Sequence, residues 1–179
     1  MESPDIRSLL PAPSTPSEAL FQDALGWLES TYHDHRFFNE RDLVWTLQRW
    51  LLGRIDGDGL PYRLFHDYPV APGIRRGLCG DLVFLDTAGH PELVVEFKFE
   101  PDHRRTDIWP TKFPVVFWGK DGVGKDVERV EQWVAEGRAT CGYALFIDEG
   151  RCFRHRDPHP GSAWVDWETG PSLLMARFR

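Results

Sequence analysis

Three residues with chemically useful side chains interrupt two short apolar stretches of the 179-residue sequence. Asp81 heads the run Leu82-Val83-Phe84-Leu85, and Glu96 and Lys98 break the run from Leu93 to Phe99. Charges inside strands this apolar need partners, because an isolated ion taken out of water is costly. If Asp86 and Pro91 flank a four-residue hairpin loop, Thr87-Ala88-Gly89-His90, paired residue numbers sum to 177 and Asp81 stands opposite Glu96. Facing Cβ atoms on antiparallel strands lie roughly 4.5 to 5.5 Å apart and like charges there repel, so something positive belongs between the two carboxylates. Either Lys98, one diagonal step away on the same face, or a divalent cation held by both carboxylates meets that need. A slip of one residue in the turn would carry Asp81 to the other face and remove the requirement. The rival reading makes Glu92, Glu96, Lys98 and Glu100 the wet face of an amphipathic strand; Val94, on that same face, opposes it.

The elements that must hold these residues follow from periodicity. Residues 1–16 carry four prolines and four Ser or Thr residues and read as a flexible tail. From Ser17 as N-cap, Leu20, Phe21, Ala24, Leu25, Trp27 and Leu28 recur with helical spacing to about Thr31. Asn39 caps a second helix whose stripe is Leu43, Val44, Leu47, Trp50 and Leu51, and Gly53 ends it. Strands are predicted over Tyr62 to Val70, Cys79 to Asp86 and Glu92 to Phe99, followed by an irregular passage from Pro101 to Gly122. Val123, Val127, Val130, Trp133 and Val134 mark an amphipathic helix, Cys141 to Asp148 a buried strand, and short β pieces gather around Gly161 and Gly170. The expected architecture is one α/β (α+β) domain over residues 17–179: a mixed sheet with an αβββαβ core, an extra N-terminal helix and C-terminal β additions.

Composition narrows the function classes. A chain that is 41% hydrophobic and 27% charged suits one ordinary globular core. No apolar run is long enough to cross a bilayer and the sequence opens Met1-Glu2-Ser3-Pro4-Asp5, so a soluble, cytoplasmic protein is expected. Cys79, Cys141 and Cys152 match no zinc spacing and read as buried thiols in a reducing compartment. The net charge of −7 argues against a general nucleic-acid coat, whose affinity would come from Lys and Arg displacing counterions. Arg75-Arg76, His103-Arg104-Arg105, Lys112, Lys120 and Lys125 are either solvated loop residues or a local phosphate patch; Arg104, Arg105, Lys120 and Lys125 are the ones assigned to substrate.

Gly80-Asp81, fourteen residues, then Glu96-Phe97-Lys98 resembles the PD-(D/E)xK nuclease superfamily, the restriction-endonuclease-like fold, over about residues 38–148. That resemblance implies a Mg²⁺- or Mn²⁺-dependent phosphodiester hydrolase, a nuclease acting on DNA, with Asp81 and Glu96 binding metal and the Phe97 backbone carbonyl as a further ligand. Lys98 would position and activate the attacking water or neutralise charge developing on the phosphate. The first core helix of that superfamily often adds an acidic residue. Glu40 matches the place and heads the stripe of Leu43, Val44, Leu47 and Leu51, although the helix dipole alone favours an acid there. Gly80 stands where the motif has proline, and Gln132 is followed four residues later by Glu136, not by the tyrosine of the RecB-like exonuclease branch. The alternatives are a noncatalytic member of the same fold that binds nucleic acid, and a protein-interaction module; a homodimer or a partner protein is compatible with any of these.

Weaker signals read as scaffold. His33-Asp34-His35 is a surface cap, and His155 and His159 belong to a polar loop. Gly119 to Gly124 lacks the ending of a phosphate loop but can cap the helix that follows and present Lys120 and Lys125 to an anion. Trp109 and Trp118 either anchor the long loop or stack on unpaired bases.

Overall fold

A computed structural model of the chain describes residues 10, 12–71, 79–107 and 113–179. The first helix, α1 (Pro16–Thr31), begins two residues before the predicted start at Ser17's far side, because Pro16 occupies its first turn and Thr15 caps it, accepting from the Glu18 N–H at 3.1 Å. Proline at that position gives up only an N–H that had no helical partner and brings a helix-ready φ. The expected tail is accordingly shorter: Leu10 is buried in the main core and Ala12 O accepts from Arg177.

Asn39 caps the second helix, α2 (Glu40–Gly57), as its sequence predicts, and Asp42 completes a capping box. It runs one turn past Gly53. The reason is Ile55, which extends the buried stripe of Leu43, Val44, Leu47 and Leu51 and outweighs a helical glycine's cost of about 1 kcal/mol.

Strands β1 (Arg63–Pro69), β2 (Cys79–Leu85), β3 (Pro91–Glu100), β4 (Cys141–Asp148), β5 (Ser162–Asp166) and β6 (Ser172–Phe178) form one mixed sheet in the order β1-β2-β3-β4-β6-β5. Helix α3 (Val123–Ala135) connects β3 to β4, which run parallel, while every other neighbouring pair is antiparallel. The α+β class and the order helix, three strands, helix, strand are therefore those expected, with α1 added before and a β5–β6 hairpin after.

Helices α1 and α2 cover one face of the sheet, against Leu82, Phe84, Val95, Phe97, Tyr143 and Leu145. On the opposite face, α3 packs Val127, Val130 and Trp133 against Val83, Val94 and Ala144. With both faces covered, β4 is buried along its whole length. The β6 end is tied to α1 by Glu18, fully buried, which accepts from Arg177 Nε and, at 2.7 Å, from the Tyr143 hydroxyl.

The β2–β3 hairpin controls which residues share the α3 face. Leu82 pairs with Val95, Val83 with Val94 and Phe84 with Leu93, the register of constant sum 177. The turn itself differs from the four-residue loop expected: Leu85 pairs with Pro91 across a bulge, and Asp86 Oδ1 gathers the N–H groups of Ala88 and His90, each at 2.9 Å. Because the irregularity sits at the turn, it leaves the register at the far end of the hairpin untouched.

Candidate active site

Continuing that register by one residue sets Asp81 against Glu96, both on the α3 side of the sheet. Asp81 Oδ2 accepts from the Phe97 N–H at 2.7 Å, which fixes its carboxylate across the strand pair. Glu96 is only 2% exposed and Glu100 is 0%, so the wet-face alternative fails: this side of β3 is interior. Lys98 Nζ lies 3.3 Å from Glu40 Oε2, 3.0 Å from Asp126 Oδ2 and 2.9 Å from the Phe97 carbonyl.

Two of the residues gathered here come from α3. Arg129 Nη1 donates to Glu96 Oε1 at 2.9 Å and its Nη2 donates to Asp126 Oδ1 at 2.8 Å. Sequence reading passed over both, although a signal existed: Asp126 occupies the inward stripe of α3 between Val123 and Val130, where a carboxylate has no place without a partner.

Four carboxylates (Glu40, Asp81, Glu96, Asp126) thus meet two cations, Lys98 and Arg129. The shortage of positive charge is visible in their protonation. Burial, with Asp81 and Asp126 nearby, pushes Glu40 up to about 7 against the pull of Lys98. Burial and the facing Asp81 push Glu96 well above the usual carboxylate range, and burial raises Asp81 despite the Phe97 N–H. Burial pulls Lys98 down, but Glu40 and Asp126 outweigh it and hold the amine above its ordinary value, so it stays charged.

Comparison with family models, with curated proteins and with solved structures finds no match.

A divalent cation fits the donor chemistry and the charge: the oxygens are hard ligands, and the excess of two negative charges is that of one such ion. Asp126 Oδ2 is also buried without a well-directed hydrogen bond, with the Lys98 ammonium 3.0 Å away. The expected ligand set of Asp81, Glu96, Glu40 and the Phe97 carbonyl is not gathered as a ready cage, and among the described residues no group of three or more His, Cys, Asp or Glu converges as one. Lys98 and Arg129 stand where the positive charge is needed.

Beside Lys98, past the C-terminal end of β3, opens a cavity of about 380 Å³ lined by Phe38, Asn39, Glu40, Phe99, Val115, Val116 and Phe117 among others. Its outer wall is set by Glu100, whose carboxylate accepts from the N–H groups of Val115 (2.9 Å) and Val116 (2.7 Å) and bonds His103 Nε2 at 2.6 Å. Gly122, the N-cap of α3, lets that wall approach: a Cβ there would sit 1.7 Å from the Phe117 carbonyl oxygen.

The residues assigned to substrate divide. Arg105 is spent on Asp107, Glu149 and the Phe37 carbonyl and is a structural pin. Arg104 is exposed but chelates Asp102. Lys120 and Lys125 are exposed on either side of the α3 N-terminus. Arg75, Arg76, Trp109 and Lys112 lie outside the described residues. Trp118 is an anchor, not a stacking platform: its ring lies on Phe153, His159 and Trp164. Gln132 turns outward to Glu136, away from the acidic cluster. Among the described residues no helix is long and apolar enough to cross a membrane, and no disulfide joins the cysteines.

Proposed function

We propose that this chain is a metal-dependent phosphodiester hydrolase of the PD-(D/E)xK type, a nuclease acting on DNA. One observation carries the reading: Asp81 and Glu96 face each other across β2 and β3, Lys98 follows two residues on, and all three share an acidic cluster, buried at Glu96 and Asp126 and partly open at Asp81, Lys98 and Glu40, that is two positive charges short. Asp81 and Glu96, with Glu40 and the Phe97 carbonyl, would hold Mg²⁺ or Mn²⁺. When bound, the ion supplies charge stabilisation at the phosphate and acidifies water. Phe97 N–H aims the Asp81 carboxylate, and Arg129 holds the Glu96 carboxyl in place and opposes the rise in its pKa that burial and Asp81 impose. Lys98, held protonated, offers its ammonium to the attacking water and to the oxygen that gains charge, the kind of preorganised electrostatic contact worth about 100-fold or more in rate.

A noncatalytic member of the same fold is the second reading, favoured by one feature. Lys98 and Arg129 already occupy the acid cluster, so Glu40, Glu96 and Asp126 each have a cationic partner without an ion.

The deciding experiment offers a mixed pool of single- and double-stranded DNA and RNA to wild type, Asp81→Ala and Lys98→Ala with Mg²⁺, Mn²⁺ or EDTA. Metal-dependent cleavage lost in both variants, with circular dichroism unchanged, is the expected result. Absence of wild-type cleavage together with no Asp81-dependent metal binding by calorimetry leaves the noncatalytic reading.

A further inference from the structure

The cavity beside Lys98 has a composition that the acid cluster does not explain. Phe38, Val115 and Phe117 are 53%, 48% and 73% exposed, side by side around a concave mouth whose floor is Phe99 and Val116. Large apolar side chains scattered over a surface need no explanation, but a concave group of them against a cluster of ionised residues does. At about 380 Å³ the space falls within the range of small-ligand sites, roughly 300–1,000 Å³.

Charge says which part of a substrate would enter. Among the described residues lining the cavity Lys98 is the one cation, and Glu40 and Asp126 already claim it; Glu40 and Asp121 add negative charge. A phosphate would be repelled from such walls, whereas a neutral, flat, apolar-faced group would be accepted. Asn39 supplies a polar edge: its Oδ1 is taken by the N–H groups of Arg41 and Asp42, and among the described residues no hydrogen bond uses its Nδ2. The wall is not a floppy loop tip, since the buried Glu100 carboxylate clamps the backbone of Val115 and Val116.

Resting on the nuclease reading, we infer that this cavity receives one unstacked nucleobase next to the bond that is cut, stacked on Phe117 and Phe38, so that the substrate is a single-stranded stretch of nucleic acid. A base in a duplex has both faces stacked and could enter only by flipping, at a cost of a few kcal/mol. Stacking of a base on an aromatic ring is tolerant of sequence and is worth roughly a 10-fold change in affinity or more per base.

The test measures fluorescence anisotropy with the full chain carrying Asp81→Asn, in EDTA and again with Ca²⁺. The probes are a 12-nucleotide single strand of DNA, its RNA counterpart, the blunt DNA duplex, and the DNA strand with abasic sites at its centre. Single strands are expected to bind at least 10-fold tighter than the duplex, with abasic sites and Phe117→Ala each removing about 10-fold and Phe117→Tyr restoring it. The DNA and RNA arms tell which sugar the site prefers. Equal affinity for duplex and single strand, or no effect of Phe117→Ala, overturns the inference. Because Phe117 is largely exposed, its replacement leaves the core intact. The two readings fail separately: Asp81-dependent cleavage without a Phe117 effect sinks the base pocket alone, and Phe117-dependent single-strand binding without wild-type cleavage sinks the hydrolase alone.

Discussion

Arg129 Nη1 donates to Glu96 Oε1 at 2.9 Å, so the most buried carboxylate of the cluster takes its counter-ion from a helix residue 33 positions further along the chain. Removing the guanidinium strands that charge. Arg129→Met is expected to cost about 3 kcal/mol at pH 7, the low end for breaking a buried pair, because Glu96 already leans towards its neutral form. Adding Glu96→Gln should return most of the loss. Urea denaturation of the two single variants and the double variant measures the coupling; an Arg129→Met protein as stable as wild type would show that another group holds Glu96.

Asp81→Asn should raise stability while abolishing cleavage. Burial lifts the folded-state pKa of Asp81 above its ordinary value, so ionisation in the folded chain is penalised as pH rises through that range, and the penalty is complete above the folded pKa. An amide keeps the acceptor for the Phe97 N–H and drops the charge. The metal-free variant is expected to melt about 2–4 °C higher at pH 8, a gain of about 1 kcal/mol, and the advantage should vanish near pH 4. Mg²⁺ at ten times its Kd should stabilise wild type by about 1.4 kcal/mol and leave the variant unmoved. Calorimetry at both pH values, with EDTA and with Mg²⁺, reads all of these; a lower melting temperature at pH 8 in EDTA contradicts the charge crowding.

Acid should unlatch α1. Burial alone would raise Glu18, but Arg177, the Ser14 N–H and hydroxyl and the Tyr143 hydroxyl together hold it at about 2, below the ordinary 4.5. A depressed carboxylate pKa contributes stability above the unfolded value, lost as pH falls from about 4.5 towards 2; the size is on the order of 3 kcal/mol. Glu18→Gln should be less stable at pH 7 and should show a flatter stability curve between pH 5 and 2.5. A wild-type curve with no slope in that window would refute the assignment.

Trp118→Ala separates anchoring from recognition. Its ring sits among Phe153, His159 and Trp164, so truncation should cost about 2 kcal/mol, reduced from the full core value by its partial exposure. Affinity for single strands should stay within twofold. A large affinity loss without a stability loss would return Trp118 to the binding surface.

The fold was legible wherever local periodicity decides. Asn39 capped its helix, Cys141–Asp148 formed the buried strand, and the hairpin kept its register although its turn carries a bulge. Boundaries moved where one residue outside the pattern dominated: Pro16 pulled α1 forward and Ile55 prolonged α2. Within the site, Asp81 and Glu96 are 15 positions apart on one hairpin, so spacing alone could set them face to face. Asp126 and Arg129 reach the cluster only through the packing of α3, which no local spacing encodes. Arg105 shows the converse: a basic run in sequence says nothing of whether Glu149 and the Phe37 carbonyl have already claimed its donors.

The meeting of residues 12–18 with residues 177–179 makes the two ends of this stretch a single structural unit. Ala12 O receives Arg177 and Arg179, and Glu18 receives Arg177. Removing the Ala12 segment or removing residues 177–179 should therefore give the same phenotype, a loosened α1 over an otherwise intact sheet, and the second deletion should add little to the first. Ala12 and Arg179 also lie close enough together for a short linker to join them, so circular permutation of residues 12–179 with new termini in the exposed loop before β5 is a rearrangement this fold should tolerate.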